Sequence, residues 1–209
     1  MTIVRTRRQL LQKALATAAA SQLLFGAAPE SAATYHLIAG EDLLSRESAA
    51  GYLAVFEKHA FSPAPLNAAG MIVSTSIAGA SPARFHALRS CVEKGASLIL
   101  ENGAYCDPPR GLLAGLFGIH LAKTPHTGSE MYLRYSWPIP ALVRTFGRPT
   151  PLKCEPHEAI AHFEGKPIAL KKNVGVGVVV FLGSMLGPHL RAEDREATEL
   201  ASLLLRLKS

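Results

Sequence analysis

The sequence predicts an α/β fold with a mainly parallel sheet, and three observations carry the prediction. Met71-Ile72-Val73 is an apolar run of strand length closed by Ser74-Thr75-Ser76. A helical pattern follows, with Phe85, Leu88, Cys91 and Val92 on one face and Gly95 after Lys94 as its stop. A second apolar run, 96–100, starts immediately after that glycine, so a right-handed crossover makes the two strands parallel.

The remaining elements take their places around this unit. Tyr35 to Ala39 reads as a strand, and 45–59 as a helix capped by Ser45, with Tyr52, Leu53, Val55 and Phe56 on its buried side. Pro63 and Pro65 mark the return loop, and Ser81-Pro82 opens the crossover helix, serine as cap and proline where its missing N–H costs nothing. Residues 112–117 form a short helix stopped by Gly118, followed by an edge at 119–121. The stretch 123–148, with Trp137-Pro138-Ile139-Pro140, is expected as loop with one short strand near 132–135. Strands follow at 159–163, 167–171 and 177–182, the last two forming a hairpin, and an amphipathic helix over 193–207 ends the chain.

The chain has 209 residues, about half of them hydrophobic, enough for one domain with a sizeable core. Arg5, Arg7, Arg8 and Lys13 against Glu30 place half of the net charge of +6 in the first 33 residues. The remainder is too weakly basic to argue for nucleic acid. Residues 1–33 carry Arg7-Arg8 in a pattern similar to the twin-arginine export motif, an alanine-rich apolar core and a small-residue site at Ser31-Ala32-Ala33. They are expected to be a removable signal that sends residues 34–209 to the periplasm with no stable membrane anchor. Cys91, Cys106 and Cys154 match no zinc or redox spacing, and whether any two are paired stays open.

Residues 71–106, 112–121 and 160–187, with "EKGASLILENGA" and "KPIALKKNVGVGVVVFLGS", resemble a class I glutamine amidotransferase-like domain. The likeness is to its non-catalytic branch, the trimerisation domain of some β-galactosidases and ThuA-like proteins. It implies a flavodoxin-like three-layer sandwich with a mainly parallel sheet and a late β-hairpin. Active members hold a cysteine on a G-x-C-x-G elbow and deliver a histidine and a glutamate from a late strand. Here Cys106 stands further from its strand and lacks the second glycine, and the late strand ends Phe181-Leu182-Gly183-Ser184 with no such triplet. His189 and Glu193 follow only across a loop, so the triad is not intact.

Ligands of open parallel sheets bind at the carboxyl ends of the strands, which selects Ser74, Ser76, Glu101, Asn102, Gly103 and Ser184 as candidate ligand contacts. Glu101 and Asn102 offer an acceptor and an amide, or else cap the following turn. Cys106, His189 and Glu193 are the catalytic candidates, and Cys154, His157 and His162 the metal candidates through soft sulfur and imidazole. Trp137 is a candidate stacking surface or the filling of its own loop. No cofactor is expected. The leading functional expectation is an exported, catalytically silent module that binds a protein partner or small ligand, with a homo-oligomer open. The alternative is an amidase or hydrolase using Cys106, Ser76 or Ser184 with His189 as base. A carbohydrate-associated module is the third.

Overall fold

In the computed structural model, which describes residues 33–77, 80–101, 109–122 and 130–207, the segment that anchors the sequence reading folds as expected. Strand β1 (Thr34–Ile38) leads to helix α1 (Leu43–Lys58), strand β2 (Ser62–Pro63), a 3-10 turn (Leu66–Ala68) and strand β3 (Met71–Ser74). Helix α2 (Pro82–Glu93), strand β4 (Ser97–Glu101), helix α3 (Arg110–Phe117) and strand β5 (His120–Leu121) follow. The second half holds β6 (Glu130–Tyr135), β7 (Ala141–Phe146), β8 (Leu152–Lys153), β9 (Ala159–Phe163), β10 (Lys166–Val174) and β11 (Gly177–Leu182), then α4 (Gly187–Arg191) and α5 (Arg195–Leu204).

The crossover helix α2 starts where serine and proline place it, with the Ser81 hydroxyl accepting from Arg84 N at 3.3 Å. Gly118, at φ 64°, closes α3 in the left-handed conformation that glycine tolerates best. Helix α1 begins earlier than expected. Asp42, not Ser45, is its cap, and its carboxylate accepts from Ser45 N at 2.9 Å.

Among the described residues nine strands form one sheet in the order β2-β1-β3-β4-β11-β10-β9-β6-β7, while β5 and β8 pair separately. The run from β2 to β11 is parallel throughout, and the four pairings from β11 to β7 are antiparallel. The sheet is therefore mixed, a correction to the expectation of a mainly parallel one. The physical reason is loop length, because a parallel return needs a crossover of a dozen or more residues. Only Glu164-Gly165 separates β9 from β10, both with positive φ as a tight hairpin requires, and only Gly175-Val176 separates β10 from β11.

One further expectation is corrected. The region 123–148 carries not one short strand but a hairpin, β6 paired with β7 across the Trp137-Pro138-Ile139-Pro140 turn, with Met131, Leu133, Tyr135, Val143 and Thr145 alternating inward. The closing helix expected over 193–207 forms as one helix, the shorter α5, and is preceded by the separate short helix α4. Glu193 stands in the turn between α4 and α5 at φ 56°, and Asp194 caps α5 by accepting from Ala197 N at 2.9 Å.

Successive side chains of a strand point to opposite faces, and the core divides accordingly. Met71, Val73, Ile99, Val180 and Leu182 pack with Tyr52, Val55 and Phe56 of α1 and with Leu190, Leu200 and Leu204 of α4 and α5. Ile72, Leu98, Leu100, Val179 and Phe181 pack with Phe85, Leu88 and Val92 of α2 and Leu113 and Phe117 of α3. Full burial of one such side chain stabilises by roughly 1.5–3 kcal/mol, so both clusters hold the strand ends in place. Among the described residues no helix is long and apolar enough to cross a membrane.

Candidate functional site

The parallel pairing of β3, β4 and β11 aligns Ser74 with Leu100 and Leu182 with Glu101, so the carboxyl ends of these strands lie side by side. At that edge the last residue of β4 is a carboxylate with no solvent exposure. Glu101 Oε1 accepts from the Tyr52 hydroxyl at 2.9 Å, from Leu186 N at 2.7 Å and from Gly187 N at 3.0 Å. The Ser48 hydroxyl donates to Oε2. One side chain thus ties the sheet to α1, through Ser48 and Tyr52, and to the start of α4, through two backbone N–H groups.

Close packing is what makes this junction possible. A Cβ placed on Gly187 would lie 1.9 Å from Ser48 Oγ and 2.4 Å from Ser48 Cα, and one on Gly51 would lie 2.2 Å from the Gly187 carbonyl oxygen. Two glycines facing each other let α1 and α4 approach until their backbones touch. Burial pushes the Glu101 carboxyl from its ordinary value up to about 7, while the donors from Ser48, Leu186, Gly187 and Tyr52 pull the other way. Burial and then the Glu101 charge push the Tyr52 phenol well above its ordinary value, and the same two causes raise Tyr135. The Tyr135 hydroxyl is buried without a hydrogen-bond partner among the described residues.

The other strand-end candidates are also inside the protein. The Ser74 hydroxyl donates to the Ser76 carbonyl at 3.0 Å, and Thr75 Oγ1 donates to the Ser45 carbonyl at 2.8 Å. Ser76 is buried against the loop after β1, where a Cβ on Gly40 would stand 2.6 Å from its own Cβ. Ser184 is 1% exposed, and among the described residues its Oγ has no hydrogen-bond partner. Gly183 makes room for the neighbouring strand, since a Cβ there would lie 2.3 Å from the Ile168 carbonyl oxygen. Asn102, Gly103 and Cys106 lie outside the described residues.

His189, on α4, is 6% exposed, and its Nε2 stands 3.9 Å from Glu130 Oε1. Burial and then the Arg144 guanidinium push its imidazole below the ordinary value, against Glu130, Asp194 and a backbone hydrogen bond to Thr145. Glu193 is exposed in its left-handed turn. No hydrogen bond joins His189 to any of the serines at the strand ends. Among the described residues the imidazole that does meet a serine is His59, whose Nε2 is 2.9 Å from Ser202 Oγ at α5; that hydroxyl donates to the Thr198 carbonyl at 2.7 Å, so it anchors a helix.

Cys154, His157 and His162 do not converge, and among the described residues no three His, Cys, Asp or Glu side chains are placed to hold a metal ion. Cys154 leans on the core with its thiol raised by burial and Glu158, whereas His157 is exposed in the loop before β9. Trp137 is half-buried, packed against the α1-side core with Lys171 Nζ 4.5 Å from its ring centroid. Sequence reasoning missed Ser48, Leu186 and Gly187. Ser48 and Tyr52 stand one turn apart on the buried face of α1, and a serine on an apolar face was the available signal.

No protein-family model matches the chain, and no curated protein sequence does. Solved structures do share its fold. A β-galactosidase from the Antarctic haloarchaeon Halorubrum lacusprofundi superposes at a TM-score of 0.59 and 17% identity over 84% of this chain and 30% of its own. A β-galactosidase from Bacillus circulans sp. alkalophilus gives 0.58 and 10% identity over 80% of this chain and 31% of its own. A ThuA-like protein from Bacteroides uniformis gives 0.58 and 11% identity over 87% of this chain and 95% of its own. The chain therefore spans about a third of the length of the β-galactosidases it matches. At these identities the likeness is one of fold, and it fits the amidotransferase-like and ThuA-like fold that the sequence resembles.

Proposed function

We propose that the chain is an exported, catalytically silent amidotransferase-like module that serves as an accessory domain and binds a partner protein or small ligand. The observation that carries this reading is the use made of Glu101. The acid at the end of the central strand accepts four hydrogen bonds from the protein itself, which leaves it a structural junction with no acceptor capacity aimed at a substrate. The wide separation of roles around it supports the same reading: His189 faces Glu130, Glu193 faces water, and neither meets a strand-end serine. The core on both faces of the sheet supports a flavodoxin-like three-layer arrangement.

A carbohydrate-associated role is the second reading, favoured by the likeness to domain-length portions of β-galactosidases. One experiment separates accessory from enzyme. The full chain, tagged at its carboxyl terminus, is cross-linked and recovered from the periplasmic fraction, and the purified material is assayed for ammonia release from glutamine. The accessory reading expects a partner, or further copies of the chain, in near-stoichiometric amount and no turnover. Turnover that Cys106→Ser abolishes would overturn it.

A further inference from the structure

The two edges of the large sheet are built differently. At one end β2 is two residues long and one of them is Pro63, the kind of blunting that keeps an edge from pairing further. At the other end β7 (Ala141–Phe146) runs in unbroken register with β6 and contains no proline, glycine or lysine. Along an antiparallel strand the backbone N–H and C=O groups of successive residues face its two sides in turn. Phe146 faces away from β6, because its N–H donates to the Met185 carbonyl at 2.8 Å and its carbonyl accepts from Met185 N at 2.7 Å. Leu142 and Arg144 therefore face the same way, and among the described residues their backbone groups meet no partner.

The sheet face beside this edge is open as well. The cluster under α2 and α3 takes in Leu170 and Val174 of β10 and no residue of β9, β6 or β7. On that face Tyr132 and Leu142 are each 56% exposed. Arg134 stands between Leu142 and His162 across the strands; it is exposed and forms no ion pair among the described residues, whereas Arg144 is held by Glu130. We propose that the β7 edge binds an extended acidic segment of a partner protein by strand addition, with the backbone of Leu142 and Arg144 bonding its main chain and Arg134 meeting its carboxylates. A strand added beside β7 lies two strand spacings, about 10 Å, from β6, so a glutamate on it and the Arg134 side chain reach each other across Leu142. Main-chain bonds give such a complex its affinity and alternate side chains its choice of partner. Charge decides between occupants. Residues 34–209 carry half of the net charge of +6, and a second copy on this edge would add its own arginines to the same face, where like charges repel. The inference rests on the accessory reading and names the chemistry of its partner; its test involves no turnover, so the edge can fail while the catalytic silence stands.

The probe is a fluorescein-labelled, end-capped peptide of alternating glutamate and valine, about seven residues long to match an ordinary strand, titrated with the full chain at pH 7 and read by anisotropy. Saturable binding is expected. No binding is expected for the same peptide with lysine in place of glutamate, nor for the glutamate peptide N-methylated along its backbone, which keeps the charge and loses the strand donors. Leu142→Pro removes an edge-facing N–H and no bond to β6, and is expected to weaken binding at least tenfold. Arg134→Gln, a surface change, is expected to weaken it at least fivefold. Where Leu142→Pro does not fold, the N-methylated peptide tests the same backbone bonds. The proposal is overturned if the glutamate peptide does not bind wild-type protein, if the lysine or N-methylated peptide binds as well, or if either variant, folded, binds like wild type. It is equally overturned if light scattering finds a wild-type dimer that Leu142→Pro dissociates, because a second copy then occupies the edge.

Discussion

Replacing Glu101 by alanine removes the one acceptor shared by four buried donors, the hydroxyls of Ser48 and Tyr52 and the N–H groups of Leu186 and Gly187. A buried donor left unpaired costs about 1–3 kcal/mol. The two backbone groups have no freedom to turn away, whereas the hydroxyls can rotate, and relief of the buried charge offsets part of the loss. A destabilisation of about 2–5 kcal/mol results, the cost of two backbone donors left unpaired less that relief. Glutamine separates charge from hydrogen bonding. Its amide oxygen at the Oε1 position keeps Tyr52, Leu186 and Gly187, and its NH2 at the Oε2 position faces Ser48, whose oxygen can accept. Glu101→Gln is therefore expected to cost no more than about 1.5 kcal/mol, the worth of one ordinary hydrogen bond. Urea unfolding at pH 7, followed by circular dichroism, measures both. An alanine variant within about 0.5 kcal/mol of wild type, the range of plain surface changes, would refute the reasoning, and so would a glutamine variant as unstable as alanine.

The same carboxylate sets a pH dependence. The folded protein holds the Glu101 proton at about 7 against 4.5 for the free side chain, so the unfolded chain binds fewer protons across that window and stability falls as pH rises. The contribution is fully present below about pH 4.5 and is lost as pH rises through about 7, a change of roughly 3 kcal/mol at most. Unfolding titrations across that range should show the fall in wild type and a flatter curve in Glu101→Gln; equal curves would count against a raised Glu101. Gly187→Ala would drive a methyl into the backbone of α1 at Ser48 and is expected to lose at least about 2 kcal/mol in thermal unfolding, as overpacked sites do. Wild-type stability in that variant would mean that α1 and α4 are not in contact there. Residues 1–33 are expected to be absent from exported protein, and periplasmic material whose sequenced terminus is Met1 would reject the signal.

Where local chemistry decides structure, the sequence was legible. Ser81 and Pro82 start α2, Gly118 stops α3, and Met71 to Ser74 and Ser97 to Glu101 pair in parallel, each from a cue within a few residues. Strand β7 was missed because two prolines in the preceding turn masked the alternation of Val143 and Thr145. The mixed character of the sheet depends on which distant strands meet, and short loops around β9, β10 and β11 were its only local trace. The strand-end rule led to Glu101 but not to its surroundings. Its partners lie 49 to 86 positions away in sequence, and no local pattern announces that Gly187 lets α4 settle on Ser48. A glutamate closing an apolar strand reads equally as a ligand contact and as a buried junction, and only the packing of α1 against α4 distinguishes the two.

The claim that the module is catalytically silent is tested most directly at Cys106, through the pH dependence of its alkylation by iodoacetamide in the full chain carrying Cys91→Ser and Cys154→Ser. An activated nucleophile needs a neighbouring cation, helix terminus or base to hold it as thiolate, and Asp107 beside it in sequence works the other way. The account predicts an ordinary thiol with an apparent pKa near about 8.5. An apparent value well below about 7.5 would mark an activated cysteine and contradict it.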